Sequence, residues 1–515
     1  RVLSCNIVLM LSFLYFRLSR IIFESCAPFL EWLIFKLVFP DGVLYQIGRW
    51  HYYKYFDTSL RQLPPEATTS TSTSQEDYQN PLVVGRNRQR AHSQYRSFSS
   101  KSKALSFWRE RDSKGIIAVA EEDHQDIFYL TGKCGEPTVA WKFQLIGHPD
   151  NAPKAWFLKE FDDAAWDSVM LPNHWQLQGH DIPIYTNTVY PFRFNPPFTV
   201  RDGHWTNTLC DLGLGMSPDS SAPLHPKEPG TNATGLYRKE FILPEEWSKD
   251  QIEYGYYVVF EGVDCNLSVW LNDRFLGYSQ DSCLPTEFDI TKEVEVTGRA
   301  GVSGRYSLSV MVNRWSDGSY LEDQDKWWLS GIYREIYVVR RPRSRILDYE
   351  WTATPVVPGD LASFTLNVSV LLDISDQHIS LPIKVDAELW DGQSKHIITQ
   401  TSSEVNTKTQ RSEKLENRRS ADEIIDTESA DHDIPLPRSP LVASFSLPLT
   451  KPPLWSAEAP HLHSLLLTLN IGGEEVQTVS NRVGVRTVTI DGPNHTLNVN
   501  GKAVVVAGVN RHEFH

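Results

Sequence analysis

The residues of this chain that are equipped for binding chemistry fall in three places. The first is an amide, Asn187, which ends the triplet Tyr185-Thr186-Asn187 in a proline-rich stretch. A side-chain amide donates and accepts hydrogen bonds at once, which suits vicinal hydroxyls; in a loop it equally suits an Asx turn. The second is a run of acids, Asp317, Glu322, Asp323 and Asp325. Carboxylates are hard oxygen ligands for alkali or alkaline-earth ions, but this spacing does not match an EF-hand, and taken alone it reads as a solvated acidic loop. The third is His512, set between Arg511 and Glu513 just after the apolar run 504–509. An isolated histidine there reads as a surface residue. The cysteines (Cys5, Cys26, Cys134, Cys210, Cys265, Cys283) are far apart and form no CxxC pair, so free thiols are expected rather than a zinc knuckle or a disulfide scaffold.

The elements that must hold these groups are numerous, because 515 residues exceed one hydrophobic core and imply two to four domains. Composition is globular, and the 16 tryptophans suit β-sandwich cores and sugar-stacking surfaces alike. A net charge of −14 leaves no basic face for phosphates, which argues against nucleic acid and fits an enzyme acting on a neutral substrate. The sequence begins with Arg1, and residues 2–16 form an uncharged apolar run. Those fifteen residues fall short of the roughly 20 that span a bilayer, and no small-residue cleavage site follows closely. Residues 1–75 are therefore expected to be a disordered or spurious extension, with 61–75 a Ser/Thr-rich linker. A cytoplasmic protein is expected, secreted or membrane-associated only if that apolar start is genuine. N-x-S/T triplets begin at Asn232, Asn266, Asn367 and Asn494, which does not establish secretion.

Residues 76–342 show short strands with turn punctuation and almost no helical period, which predicts a sandwich of jelly-roll type. WLNDRFLGYSQ (270–280) reads as strand, Asn-Asp turn, strand, and SLSVMVNRW (307–315) alternates as a half-buried strand should. The stretch 201–233 reads as a surface-loop insertion. Residues 343–488 carry four further strand-like segments spaced as in an immunoglobulin-like sandwich, interrupted by a charged segment, 402–438, that reads as a disordered loop. Residues 487–490 and 497–499 flank a hairpin turn. The run 504–509 (VVVAGV) suits a strand buried on both faces, as in a parallel barrel, and by periodicity equally a core antiparallel strand. The expected architecture is mainly β: a jelly-roll sandwich at 76–342, an immunoglobulin-like sandwich at 343–488, and at 489–515 the first strand of a truncated (β/α)8 barrel.

Several segments converge on one family. LPNHWQLQGHDIPIYTNTVYPF (171–192), RWSDGSYLEDQDKWWLSGIYREI (314–336), PLWSAEAPHLHSLLLTL (453–469) and VAGVNRHEFH (506–515) resemble signatures of glycoside hydrolase family 2 β-galactosidases. GLYRKEF (235–241), DSCLPTEFDIT (281–291) and NRVGVR (481–486) fit in the same order, so the resemblance covers roughly residues 76–515.

The resemblance implies retaining hydrolysis of terminal β-D-galactosides such as lactose. It implies that Asn187 reaches into the galactose pocket, that Asp325 binds the sugar 6-hydroxyl and ligates a sodium ion, and that His512 contacts the 3-hydroxyl region. Glu513 matches a glutamate that is not one of the catalytic pair. Retaining enzymes need two carboxyl groups roughly 5–5.5 Å apart; in this family both are glutamates on later barrel strands, and the magnesium ligands lie there too. Since a barrel takes about 250 residues, both glutamates and the magnesium site are expected beyond residue 515. The chain is thus expected to be an inactive N-terminal fragment of an enzyme whose relatives are commonly homo-oligomers. A different class, a non-catalytic carbohydrate-binding or interaction protein made of two sandwiches, would be expected to end near residue 342 or 488.

Overall fold

Asn272 and Asp273 both adopt left-handed backbone, with φ of 47° and 70°, as a two-residue hairpin turn requires, and the strands Asn266–Leu271 and Arg274–Gln280 pair across them. In the computed structural model that contains this hairpin, the described residues are 77–93, 95–114, 126–133, 137–186, 190–192, 196–197, 199, 232–248, 253–299, 304–405, 441–492 and 495–509. The hairpin belongs to a seven-stranded antiparallel sheet. Its order is Gly85–Arg86, Arg274–Gln280, Asn266–Leu271, Arg305–Asn313, Thr234–Ile242, Val139–Ile146 and Asp167–Leu171. Facing it are Thr286–Asp289, Tyr254–Phe260, Ile336–Pro342 and Ile127–Tyr129. Phe143, Tyr237, Phe260, Phe288, Leu308 and Val310 fill the space between the two layers.

The Arg305–Asn313 strand departs from the half-buried expectation, for it is buried on both faces after Arg305. The reason is a second aromatic layer. Trp156, Leu236, Trp270 and Met311 form a cluster on the far side of the sheet, with Phe157, Phe161 and Trp166 packed against it. Arg238 ties this cover down by donating to the Trp156 and Leu158 carbonyls at 2.6 and 2.9 Å and to Asp163 at 2.8 Å. Two helices, Lys101–Lys114 and Thr291–Arg299, also stand where no helical period was legible.

A second sandwich pairs the sheet Arg345–Pro355, Ser363–Asp373, Leu441–Thr450 with the sheet Arg96–Phe98, Glu474–Val483, His463–Ile471, Ile383–Trp390, Ile397–Glu404. Strict alternation along Ser363–Asp373 turns Phe364, Leu366, Val368, Val370 and Leu372 into its core. Residues 96–114, counted by sequence with the first unit, hydrogen-bond instead to this one: Phe98, Phe107 and Trp108 pack on Trp390 and Leu466, and the Trp108 indole donates to Ser480 at 2.7 Å. Residues 402–404 complete the Ile397–Glu404 strand rather than starting a loop; 406–440, like 201–231, lie outside the described residues.

Arginines cluster at the junction of the two units: Arg340 meets Asp126 and Arg341 meets Glu287 within the first, Arg345 reaches Asp373 within the second, and Arg343 meets Glu295 across the boundary, where Arg345 also lies over the Tyr257 ring. Burial alone would raise the Glu287 carboxyl, but the Arg341 guanidinium and His92 outweigh it and hold it well below the usual carboxylate range.

Past the second sandwich, Val488–Asp491 pairs with Thr496–Val499, and that strand with Lys502–Ala503, as the hairpin reading expects. The barrel strand expected next is not seen: residues 504–509 form no strand, and Val505, Val506 and Val509 are 90%, 78% and 91% exposed. A strand buried on both faces needs neighbours at both edges; here the Val504 amide bonds to the Leu497 carbonyl at 2.8 Å, and no described strand pairs with the residues after it.

Candidate functional site

The loop 314–333 starts from a fixed point. The Asn232 amide donates to the Trp315 carbonyl at 2.8 Å and accepts from the Trp315 amide at 2.9 Å. Asn232 and Asn266 are fully buried, so neither N-x-S/T triplet presents its asparagine to solvent in the folded chain. Free cysteines among the described residues are Cys265, buried, and Cys283, exposed. One residue before Trp315, Arg314 meets Asp181 at 2.5 Å, with side chains 5% and 1% exposed, and also donates to the Ile182 carbonyl at 2.8 Å. This buried pair draws the 181–186 segment alongside the loop. Beneath both, Phe192, Trp315 and Trp328 form a small core with Ile184, Tyr190 and Tyr320 packed on it.

The acids of the loop then part company. Asp317 is buried; Gln280 donates to it at 2.5 Å and the Gly318 amide at 3.0 Å, and burial pushes its carboxyl up to about 7. Glu322 accepts from the Ser282 amide at 2.9 Å and the Ser282 hydroxyl at 2.5 Å. Burial raises Asp323. Lys326 sits 3.4 Å from Asp264, whose carboxyl burial lifts to about 6 against the pull of that lysine. Asp325 alone stands exposed beside rings. The solvated-loop reading therefore holds for one acid and fails for Asp317, because Gln280 and Ser282 come from a hairpin some forty residues earlier.

Asp325 and the Tyr-Thr-Asn segment are brought together by a two-residue ladder, Ile184–Tyr185 against Trp327–Trp328, with Tyr185 opposite Trp327 and Ile184 opposite Trp328. Period-two alternation puts Tyr185 and Trp327 on the outer face, 45% and 41% exposed, and Ile184 and Trp328 on the inner one. The Tyr185 hydroxyl donates to Asp325, and its ring lies 5.7 Å from the Trp327 ring. On the inner face the Trp328 indole donates to the Thr186 hydroxyl at 3.0 Å. A carboxylate beside two exposed rings is the donor-acceptor and stacking chemistry that a polyol with a C–H face requires.

Of the site residues expected from sequence, Asp325 is placed in this group; Asn187 and His512 lie outside the described residues. Tyr185, Trp327 and Trp328 were not foreseen in these roles. A two-residue strand leaves no readable pattern, so neither Trp327–Trp328 as a strand nor its partner was legible. For sodium, Asp325 supplies one hard oxygen of the right kind, yet among the described residues no three His, Cys, Asp or Glu side chains converge as a metal cage. No chemistry below is routed through sodium or magnesium. Among the described residues no helix is long and apolar enough to cross a membrane.

Comparison with known proteins follows the same division of the chain. The description "Glycosyl hydrolases family 2, sugar binding domain" matches residues 138–209 and 221–342, and "Glycosyl hydrolases family 2" matches 349–486. Beta-galactosidase of Pectobacterium atrosepticum is 32% identical over 453 residues, 87% of this chain and 34% of that protein. Beta-galactosidase of Psychromonas ingrahamii is 33% identical over 440 residues, 85% of this chain and 34% of that protein. The chain thus spans about a third of the length of the curated relatives it matches. Among solved structures, Bacteroides uniformis beta-glucuronidase aligns with a TM-score of 0.47 at 15% identity, over 73% of this chain and 34% of that one. With two successive family 2 matches over the two sandwiches, this chain belongs to glycosyl hydrolase family 2.

Proposed function

We propose that this chain is the sugar-positioning front part of a retaining β-galactosidase, acting on terminal β-D-galactosides of which lactose is the simplest. The observation that carries the reading is the two-residue ladder that sets Asp325, Tyr185 and Trp327 into one exposed group. In this reading Asp325 accepts from a sugar hydroxyl, the Tyr185 hydroxyl orients that carboxylate, and the Trp327 ring offers a face to sugar C–H groups. By the family resemblance Asn187 and His512 bind the same sugar. The name beta-galactosidase carried by relatives at 32–33% identity supports the galactoside over other sugars. The two catalytic glutamates are placed by this reading outside residues 1–515, so the chain binds without hydrolysing. A cytoplasmic homo-oligomer with a sodium ion at Asp325 and a magnesium ion elsewhere belongs to the same proposal.

The test is to titrate the chain with methyl β-D-galactoside by saturation-transfer NMR and to assay o-nitrophenyl β-D-galactoside in parallel. Binding is expected, weakened about tenfold by Asp325→Ala, which removes a hydrogen bond to a charged acceptor. No turnover is expected. Hydrolysis by the isolated chain would overturn the placement of the catalytic pair, and absence of binding would overturn the pocket wall.

A further inference from the structure

The ladder that carries the site is too short to hold itself. Two residue pairs make a few backbone hydrogen bonds at most, and isolated ladders of that size fray in water. Its outer side is also wet: Tyr185 and Trp327 are both more than two-fifths exposed. A lone tyrosine hydroxyl facing a carboxylate at such a surface competes with water and gives up rotamer freedom. Something else must keep Tyr185 aimed.

The inner face supplies it. Trp328 is 6% exposed, edge-on to Trp315 at 5.2 Å and 73°, with Phe192 at 6.5 Å on another side. Its indole nitrogen finds Thr186 at 3.0 Å. An indole N–H buried that deeply cannot turn to solvent, so separating it from Thr186 would strand a buried donor. The bonds then form a closed ring: Asp325 accepts from Tyr185, Tyr185 is bonded to Thr186, Thr186 accepts from Trp328, and three residues of backbone return to Asp325. One side of this ring is buried and rigid and the other is exposed and chemical.

We infer that Trp328 is a positioning residue for the sugar-binding carboxylate: its indole N–H, locked in the aromatic core, holds Thr186 and thereby keeps Tyr185 on Asp325. The inference rests on the galactoside reading for its ligand, though the clasp itself is a property of the chain.

Trp328→Phe keeps an aromatic ring in the core and removes the donor; Thr186→Val keeps the shape and removes the acceptor; Thr186→Ser keeps the hydroxyl. Affinity for methyl β-D-galactoside is expected to fall about fivefold in each of the first two, and the double variant to be no weaker than either, as for partners in one bond. Thr186→Ser is expected to bind as the parent chain does. In an Asp325→Ala background, Trp328→Phe is expected to cost nothing further, because its effect runs through that carboxylate. An undiminished loss in that background, or additive losses in the double variant, would overturn the inference. If the parent chain binds no galactoside, the functional reading fails and the clasp is judged by amide exchange. Faster exchange confined to 184–186 and 326–329 in both single variants supports it, and unchanged exchange there overturns it.

Discussion

Asp317 is the acid whose environment says most about the loop. Its partners, Gln280 and the Gly318 amide, bring dipoles and no cation, and among the described residues it forms no ion pair. Burial therefore dominates, and the folded chain binds this proton more tightly than the unfolded chain does. The associated stability is fully present below the ordinary aspartate range near pH 4 and is lost as pH rises through about 7. Asp317→Asn removes the charge while leaving an oxygen for Gln280. It is expected to stabilise the first sandwich by about 1–2 kcal/mol at pH 8 and by much less at pH 5. Thermal scans at the two pH values check this; an equal offset at both would show that burial of charge is not the cause. None of this was legible in the string of acids. Spacing along a loop cannot say which of its carboxyls a distant hairpin will cover, and only Asp325, carried by the family resemblance, stood apart beforehand.

Elements were legible where the local signal was self-sufficient. The Asn-Asp turn announced its hairpin because both residues tolerate left-handed backbone, and the alternation along 363–373 announced a strand with one apolar face. Signals failed where a neighbour decides. The β-branched run 504–509 has the composition of a buried strand and is exposed, since burial is conferred by partners that the composition does not contain. The Ile184–Tyr185 ladder is too short to leave any periodicity, the 3.6-residue pattern of Lys101–Lys114 is faint, and Thr291–Arg299 is amphipathic but only nine residues long. Close approach is a further element-scale constraint. A Cβ on Gly277 would lie 2.2 Å from the Arg86 carbonyl oxygen and 2.6 Å from the Phe288 ring. Gly277→Ala is accordingly expected to push Gly85–Arg86 off the sheet edge and to cost about 1–3 kcal/mol. Amide exchange at Arg86 and Gln280 reads it out; unchanged protection there would contradict the steric account.

At the scale of the whole molecule, the segment before residue 115 is shared property. Gly85–Arg86 extends the first sandwich, while Arg96–Phe98 and the Lys101–Lys114 helix extend the second. Between them Ser93 bonds to Asp348 and Tyr349, at 2.9 and 2.8 Å, and Tyr95 to the Ile346 carbonyl at 3.0 Å. A chain lacking residues 1–114 would uncover Trp390 and Leu466 and lose Phe98, Phe107 and Trp108 from their cluster. Burial of that apolar area is worth on the order of 5 kcal/mol. Calorimetry of the truncated chain is expected to show the second sandwich melting well below the first; one transition at the parent temperature would mean the arm is dispensable.

The same arm sets a timetable. Gln477 donates to Ser97 across 380 residues of sequence, so the arm's docking strand leaves the ribosome long before its partner exists. At the usual pace of about 5–20 residues per second, the ribosome takes roughly 20–80 s to deliver the Glu474–Val483 strand. Until then Phe98, Phe107 and Trp108 have only one another and their own helix for cover and lack Leu466 and Ser480, while the first sandwich can already close around Gly85–Arg86. The second sandwich therefore matures last and by capture of an element made early, which exposes the nascent chain to chaperones at its aromatic helix rather than at its sheets.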